Sequence, residues 1–241
     1  MSSKYIFMKT FILVCLVILS VQGSGQDRKS NFIPQMFHGI GGSFQEFDGL
    51  NSRIANFPQY KALRDHMGTL QLGWFKERNR LISGLAFTAG SSMSGDRDKK
   101  SSTLRFIGFS ADIGYNILNS ERMMLYPLAG LGYERYQARF FKDNSNVDFN
   151  TILQSAEIQN RLEPVDFKNS FLTYRLGAGF SIKAPKNPSH SIGLQAGYIG
   201  SFKDHAWRSN ENQELMNAPE DGVGRIFVTL TFMSQPRFMK H

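Results

Sequence analysis

Between Leu172 and Ile182 the chain alternates strictly between apolar residues and small or polar residues. Apolar side chains occupy the even positions, whereas the odd positions carry threonine, arginine, glycine and serine. Because successive side chains of a β-strand point to opposite faces, this segment has one apolar face and one small, polar face. An apolar outer face and a polar inner face are what a transmembrane barrel strand requires, and the segment is long enough to cross a bilayer at a tilt.

Seven further segments show at least a partial alternation of the same kind. They are Met36–Phe47, His66–Phe75, Arg80–Gly90, Leu104–Leu118, Met124–Phe140, Ser191–Phe202 and Val223–Met233. With the first segment they make an even number of strands, as expected for an antiparallel barrel. The sequence therefore predicts an all-β fold, a closed up-and-down antiparallel transmembrane β-barrel of about eight strands over residues 36–233.

The connections between these segments alternate in length. The short ones, which contain turn-forming asparagine and proline residues, are Lys76–Asn79, Asn119–Arg122 and Ala184–His190. The long ones are Asp48–Asp65, Ser91–Thr103, Phe141–Asn169 and Lys203–Gly222. Short periplasmic turns and long extracellular loops, with both chain ends on the periplasmic side, are typical of outer-membrane barrels.

Two of the long loops contain segments that could fold into short helices. One is Phe149–Leu162, which has amphipathic spacing, and the other is Pro58–Arg64, with its proline where a helix can begin. Such helices could cap the barrel mouth or bind an extracellular partner. Ordinary loop packing explains the pattern equally well.

The N-terminus has the features of a secretory signal peptide, which we assign to residues 1–25. Two lysines precede the apolar run Phe11–Leu19, which is too short to span a bilayer as a helix. Small residues follow, so cleavage is expected after Gly23 or Gly25. The single cysteine, Cys15, falls inside this segment, and the exported chain therefore forms no disulfide.

Composition narrows the possible partners. The formal net charge is +8 at pH 7, but the one basic run, Asp96–Lys100, is best explained as a solvated loop tip. Nucleic acid is therefore not an expected partner. The five histidines stand far apart and lack the spacing of metal ligands, so neither a metal nor another cofactor is expected.

Four charged residues share the inward parity on different predicted strands, namely Asp112, Glu134, Arg175 and Arg225. An arginine that faced lipid at the bilayer midplane would cost about 2 to 4 kcal/mol, so these side chains are expected to face the lumen and to pair. They could line a polar channel or proton path, or they could form an internal salt-bridge plug. The plug is favoured because eight strands leave an interior that side chains just fill.

Three short repeats complete the pattern, at Gly130–Tyr133, Leu176–Phe180 and Leu194–Tyr198. With the signal peptide, the strand number and the loop asymmetry, they make residues 36–233 resemble the small eight-stranded outer-membrane β-barrel family of OmpA-type and OmpX-type barrels. The resemblance implies a location in the cell outer membrane, contact with its lipid and lipopolysaccharide, and insertion by the outer-membrane assembly machinery.

The last predicted strand resembles the assembly signal of that family, a terminal strand that ends in an aromatic residue. Phe232 occupies this position, but a periplasmic tail over residues 234–241 follows it, and Phe238 is a second candidate. Residues 26–35, which precede the barrel, are polar and are expected to form an extended lead-in.

The resemblance implies a non-enzymatic protein with a structural or adhesion role, or one that passes small solutes. One alternative is a soluble lipocalin-like carrier whose apolar faces line a ligand cavity, although the Gly-x-Trp motif of that family is absent. The other is a lipid A-modifying barrel enzyme, for which Ser189, His190 and Ser191 are the candidate residues. Their predicted position in a periplasmic turn argues against that chemistry.

Overall fold

Eight long antiparallel strands close into a barrel in the computed structural model, which describes residues 35–96, 99–118 and 120–235. The strands are β1 (Gln35–Gln45), β2 (His66–Arg78), β3 (Leu81–Gly95), β4 (Ser101–Tyr115), β5 (Met123–Phe141), β6 (Val165–Ala184), β7 (Asn187–Ser201) and β11 (Gly224–Ser234). Each pairs with the next along the chain, and β11 pairs with both β7 and β1. The predicted closed up-and-down antiparallel barrel is confirmed.

Three two-residue strands lie in the last long loop: β8 (His205–Ala206), β9 (Arg208–Ser209) and β10 (Glu220–Asp221). The predicted signal peptide, nearly all of the lead-in, and the end of the tail with Phe238 lie outside the described residues.

The polarity of the barrel is inside out, as the alternation predicts. Leu176, Phe180, Leu194 and Val228 are all exposed on the outer surface, whereas polar neighbours such as Thr229 are buried in the interior. The lipocalin-like alternative requires the opposite arrangement, with the apolar side chains converging on the barrel axis.

The two ends of the barrel differ in their connections. At the short-turn end, Asn79 and Arg80 join β2 to β3 with φ angles of 50° and 67°, the left-handed backbone of a two-residue hairpin turn. Pro185 and Lys186 join β6 to β7 at the same end, since Ala184 pairs with Asn187. The first residues of β1 and the last of β11 also lie at this end, where Met36 pairs with Ser234.

The prediction of a long loop over Ser91–Thr103 is wrong. The ladder between β3 and β4 continues until Gly95 pairs with Ser101, which leaves only residues 96–100 as the connection. The outward positions of these strand ends include Ser91, Gly95 and Thr103, so the segment carries no regular apolar alternation. Backbone hydrogen bonds extend a strand whether or not its side chains are apolar.

Three short helices lie in the long loops: α1 (Asp48–Ala55), α2 (Phe149–Gln154) and α3 (Ala156–Leu162). The predicted helical segment Phe149–Leu162 therefore forms two helices that are interrupted at Ser155. The predicted helix at Pro58–Arg64 is wrong, because Pro58 lies in a turn closed by the hydrogen bond from Tyr60 N to Phe57 O. Within the described ranges no helix is long and apolar enough to cross a membrane.

Candidate functional site

The middle of the lumen contains a buried ion pair between Arg225 of β11 and Glu134 of β5. Tyr136 joins the pair: its hydroxyl oxygen lies 2.7 Å from Glu134 Oε2 and accepts a hydrogen bond from Arg225 Nη1 at 3.2 Å. Gln45 Oε1 of β1 lies 2.9 Å from the same hydroxyl. The cluster therefore ties together three strands that are not all neighbours in the sheet.

A second ion pair lies nearer the short-turn end, where the buried Arg175 Nη1 of β6 donates to Oδ2 of the partly buried Asp112 of β4 at 3.0 Å. Arg175 Nη2 also donates to Gln195 Oε1 at 3.1 Å, and Gln195 Nε2 donates to the Tyr126 hydroxyl at 2.9 Å. Together these bonds form a continuous polar chain from β4 across the lumen to β7 and back to β5.

Glycine makes room for both carboxylates. Gly130 of β5 pairs with Asp112 on one side and with Arg175 on the other, so the arginine reaches its partner across a residue that has no side chain. A Cβ at Gly130 would overlap Asp112 Oδ1, and a Cβ at Gly108 would come within 2.9 Å of Glu134 Cγ. These glycines are needed for close approach inside the barrel.

Both guanidinium groups also stack on aromatic rings. Arg225 Cζ lies 4.1 Å from the ring centre of Phe106, and Arg175 Cζ lies 4.3 Å from that of Phe227. Cations over ring faces are stabilised by the ring quadrupole, most strongly where water is excluded. Each arginine is thus held by a carboxylate and by an aromatic face.

Between Glu134 and Arg175 there is a cavity of about 20 Å³, enough for about one water molecule.

Two apolar clusters lie on either side of this network. The inner cluster, at the short-turn end, consists of Phe37, Phe75, Ile82, Ala86, Met124, Tyr126, Leu128 and Met233. The outer cluster fills the mouth and includes Phe47, Leu50, Ile54, Leu63, Phe106, Tyr136, Phe140, Phe171, Trp207, Val223 and Phe227. The lumen is therefore occupied by an apolar layer at each end and a polar layer between them.

The long loops supply part of the outer cluster, and we call the folded assembly of α1, residues 57–65 and residues 202–223 the cap. Asp221 holds two of its parts together. Its carboxylate accepts hydrogen bonds from Gly49 N at 2.8 Å and Leu50 N at 2.9 Å, the free N–H groups at the start of α1. Trp207 Nε1 donates to the same carboxylate at 2.7 Å, and its ring packs edge-on against Phe47.

Burial raises the pKa of Asp221 above its ordinary value. The hydrogen bonds from Trp207, Gly49 and Leu50 favour the charged form and oppose that shift. The carboxylate lies at the N-terminus of α1, where the helix dipole also favours its charged form.

The structure thus brings together in two ion pairs all four charged residues that parity placed on the inner face. Sequence reasoning missed their partners, which are Gln45, Phe106, Tyr126, Tyr136, Gln195 and Phe227. These partners share the inward parity, and that was the available signal.

The other candidate residues lie apart from the network. Phe232 is outward on β11, between His38 and Ile192 of the neighbouring strands. Ser191 points inward while His190 points outward, so the Ser–His–Ser segment is split between the two faces of the wall. In the described part of the chain, no group of three or more histidine, cysteine or carboxylate side chains could hold a metal.

The solved structures to which this barrel is similar are outer-membrane β-barrel proteins. Ail, the attachment invasion locus protein of Yersinia pestis, is 16% identical with a TM-score of 0.48, over 85% of this chain and 99% of Ail. A major outer membrane protein of Thermus thermophilus is 12% identical with a TM-score of 0.49, over 83% of this chain and 98% of that protein. Neisserial surface protein A is 12% identical with a TM-score of 0.44, over 86% of this chain and 98% of that protein.

No family model and no curated protein matches the sequence. Identities this low do not transfer an activity from one barrel to another, since one fold supports many functions. The function of this chain has to be argued from its own residues.

Proposed function

We propose that this chain is an outer-membrane β-barrel with a closed lumen and a non-enzymatic, structural or adhesive role. The observation that carries the proposal is the inside-out polarity of the wall. Large apolar side chains are exposed around the whole barrel, whereas charged and amide side chains such as Arg225 and Gln195 are buried inside it. Water does not favour an exposed apolar surface of this size, and lipid does.

The height of the apolar surface fits a bilayer. On β6 the outward positions are apolar from Leu172 to Ile182, ten residue steps or about 34 Å along the strand. A tilt of about 40° shortens this to about 26 Å, close to the roughly 25 Å apolar band of outer-membrane barrels. Tyr174, Tyr198 and Phe202 form an aromatic cluster on the outer wall at its long-loop end, where rings are favoured at the membrane interface.

The filled lumen favours a structural or adhesive role over solute passage. A solute would have to displace the inner cluster, the two ion pairs and the outer cluster in turn. Separating a buried ion pair leaves two poorly solvated charges, so these layers do not open readily.

The long loops at the mouth of the barrel offer a surface for adhesion. Phe149 and Leu153 of α2 are 69% and 64% exposed, and Met216 of the last loop is 95% exposed. Phe149 and Leu153 are four residues apart and lie on one side of α2, which is the spacing of an apolar contact face. These side chains have no packing role in the barrel, which supports a role in contact with a partner.

The proposal predicts membrane insertion without ion conduction. The purified chain should insert into lipid vesicles, migrate faster on a gel before heating than after it, and give no single-channel conductance in planar bilayers. Steady open-channel conductance would refute the closed lumen while leaving the membrane location intact. Recovery as a monomer soluble without detergent would refute the membrane location itself.

A further inference from the structure

Charged side chains on the outer wall are concentrated on three adjacent strands. In the long-loop half of the barrel, the outward positions of β4, β5 and β6 carry Arg105, Arg135, Arg139, Asp166 and Lys168. The outward positions of β1, β2, β3, β7 and β11 in that half carry no Asp, Glu, Lys or Arg. The wall therefore has one basic sector, which we call the basic patch, in an otherwise uncharged circumference.

Strand register places these residues in successive rows. Ile107, Arg135 and Ser170 form one row across β4, β5 and β6, and Arg105, Gln137 and Lys168 form the next. Arg105 is thus diagonal to Arg135, a separation of about 7 to 8 Å between Cα atoms. Both guanidinium groups can reach a ligand that is about the size of one phosphorylated sugar.

Part of the basic patch is already neutralised, and part is not. Arg139 forms a two-point ion pair with Asp166, with Nε to Oδ1 at 2.8 Å and Nη2 to Oδ2 at 2.7 Å. Lys168 Nζ donates to Asn210 O at 2.6 Å and keeps its charge. Among the described residues, no carboxylate forms an ion pair with Arg105 or Arg135, which are both exposed.

Apolar surface begins directly below these arginines. Phe109, Tyr133 and Leu172 form the next row toward the short-turn end, and each is more than half exposed. The wall therefore presents two guanidinium groups, without a carboxylate partner among the described residues, above a row of apolar side chains at the height where the apolar band ends. A ligand that matches it has two anionic groups above hydrocarbon chains.

We propose that the basic patch binds a phosphorylated, acylated glycolipid of the outer leaflet, with its phosphates on Arg105 and Arg135 and its acyl chains on Phe109, Tyr133 and Leu172. This inference depends on the proposed membrane location and adds a specific lipid site to it. Arginine suits phosphate because its planar guanidinium donates two parallel hydrogen bonds. Lys168 adds positive charge at the edge of the site.

The test uses the full chain, folded into phosphatidylcholine nanodiscs that contain a minor fraction of bis-phosphorylated lipid A. Native mass spectrometry then measures which lipid the released protein retains. We expect retention of lipid A over phosphatidylcholine, and a fall in apparent affinity of about tenfold or more in the double variant Arg105→Gln and Arg135→Gln, since each basic residue near a lipid surface contributes measurably. The matching lysine double variant keeps the charge but loses the paired hydrogen bonds, so its affinity should lie between those of the glutamine double variant and the unchanged chain.

Matched controls separate this site from general charge. Arg53→Gln removes one charge from the exposed face of α1, on the cap, and should leave lipid A retention unchanged. Added inorganic phosphate should not displace the lipid, because the acyl chains contribute to binding.

Three results would overturn the site. They are an equal loss of lipid A retention in Arg53→Gln, displacement of lipid A by inorganic phosphate, and no preference for lipid A over phosphatidylcholine in a chain that inserts normally. The last result would leave the membrane location intact. Failure to insert at all would overturn both proposals.

Discussion

The ion-pair network and the outer cluster are adjacent layers of the lumen that are built on different principles. The ion-pair network uses side chains that come directly from barrel strands, whose positions are set by the ladder, as in the row Asp112, Gly130 and Arg175. The outer cluster combines strand residues with loop residues such as Trp207 and Leu50, which reach the mouth only if the loops fold back over it. One layer depends on register and the other on loop packing.

This difference predicts how each layer responds to damage. The cavity beside the network has room for about one water molecule, so a charge left without its partner there stays poorly solvated, and the ladder holds its strand in place. A gap in the outer cluster can close or hydrate, because the loops above it are exposed and can shift. Damage to the network should therefore destabilise the whole barrel, and damage to the outer cluster should loosen the cap.

The largest effect is expected from Glu134→Gln. The change leaves Arg225 buried without a carboxylate, and the free energy of unfolding should fall by about 3 to 5 kcal/mol. Urea unfolding in detergent micelles measures the loss. Adding Arg225→Met should recover much of it, because the unpaired charge is then removed.

A matched control for this variant is Glu214→Gln. Glu214 also pairs with an arginine, Arg208, at 3.1 Å, but its side chain is 85% exposed. Exposed pairs contribute about 0.2 to 1 kcal/mol, so this variant should be nearly neutral. Equal losses of the free energy of unfolding in Glu134→Gln and Glu214→Gln would show that the buried pair contributes no more to stability than an exposed one.

The second largest effect is expected from Trp207→Ala in the cap. Removing a large buried ring typically costs about 3 to 5 kcal/mol, and the exposed and half-buried loop residues on either side of Trp207 should place this change near the lower end. The loss should appear as faster hydrogen exchange in residues 46–65 and 202–223, with the barrel strands still protected.

The second tryptophan of the chain supplies the control. Trp74 is 56% exposed on the outer wall, so Trp74→Ala should not change exchange in either loop. If Trp207→Ala increases exchange in the strands and the loops together, the cap and the barrel form one cooperative unit, and damage to the outer cluster is not confined to the cap.

The same contrast explains what could be predicted from the sequence. Parity placed Asp112, Glu134, Arg175 and Arg225 on the inner face, because a strand side chain can point only inward or outward. It could not tell which acid meets which base, since that depends on how the strands are staggered around the barrel.

The cap was beyond local pattern reasoning. Its central contact joins Gly49 and Asp221, which are 172 positions apart. The residue before α1, Phe47, supplies no side-chain cap, so the start of this helix is held by a residue from the last loop. The sequence around Pro58 has a stronger helix-start signal and forms a turn instead.

A smaller effect is expected from Gly130→Ala. The added methyl group would overlap Asp112 Oδ1 and push it away from Arg175, which should cost about 1 to 3 kcal/mol of the free energy of unfolding. Gly68→Ala on β2 is the control, because nothing lies within 4 Å of its added Cβ. If Gly130→Ala leaves the free energy of unfolding unchanged, the network tolerates a displacement of the Asp112 side chain and is less rigid than its geometry indicates.

The smallest effect concerns pH and the cap. Since burial raises the pKa of Asp221, the folded cap binds the proton more tightly than the unfolded loops do. Cap stability should therefore be highest below the ordinary value of 3.8, fall as the pH rises through the raised pKa, and stay constant above it.

The indole N–H of Trp207 donates to Asp221 and reports its titration by NMR. Its chemical shift should follow a pKa above 3.8, and Asp221→Asn should abolish that transition while the Trp74 signal stays flat. A midpoint below 3.8 would mean that the three hydrogen bonds outweigh burial. The cap would then gain stability as the pH rises, the reverse of the dependence expected here.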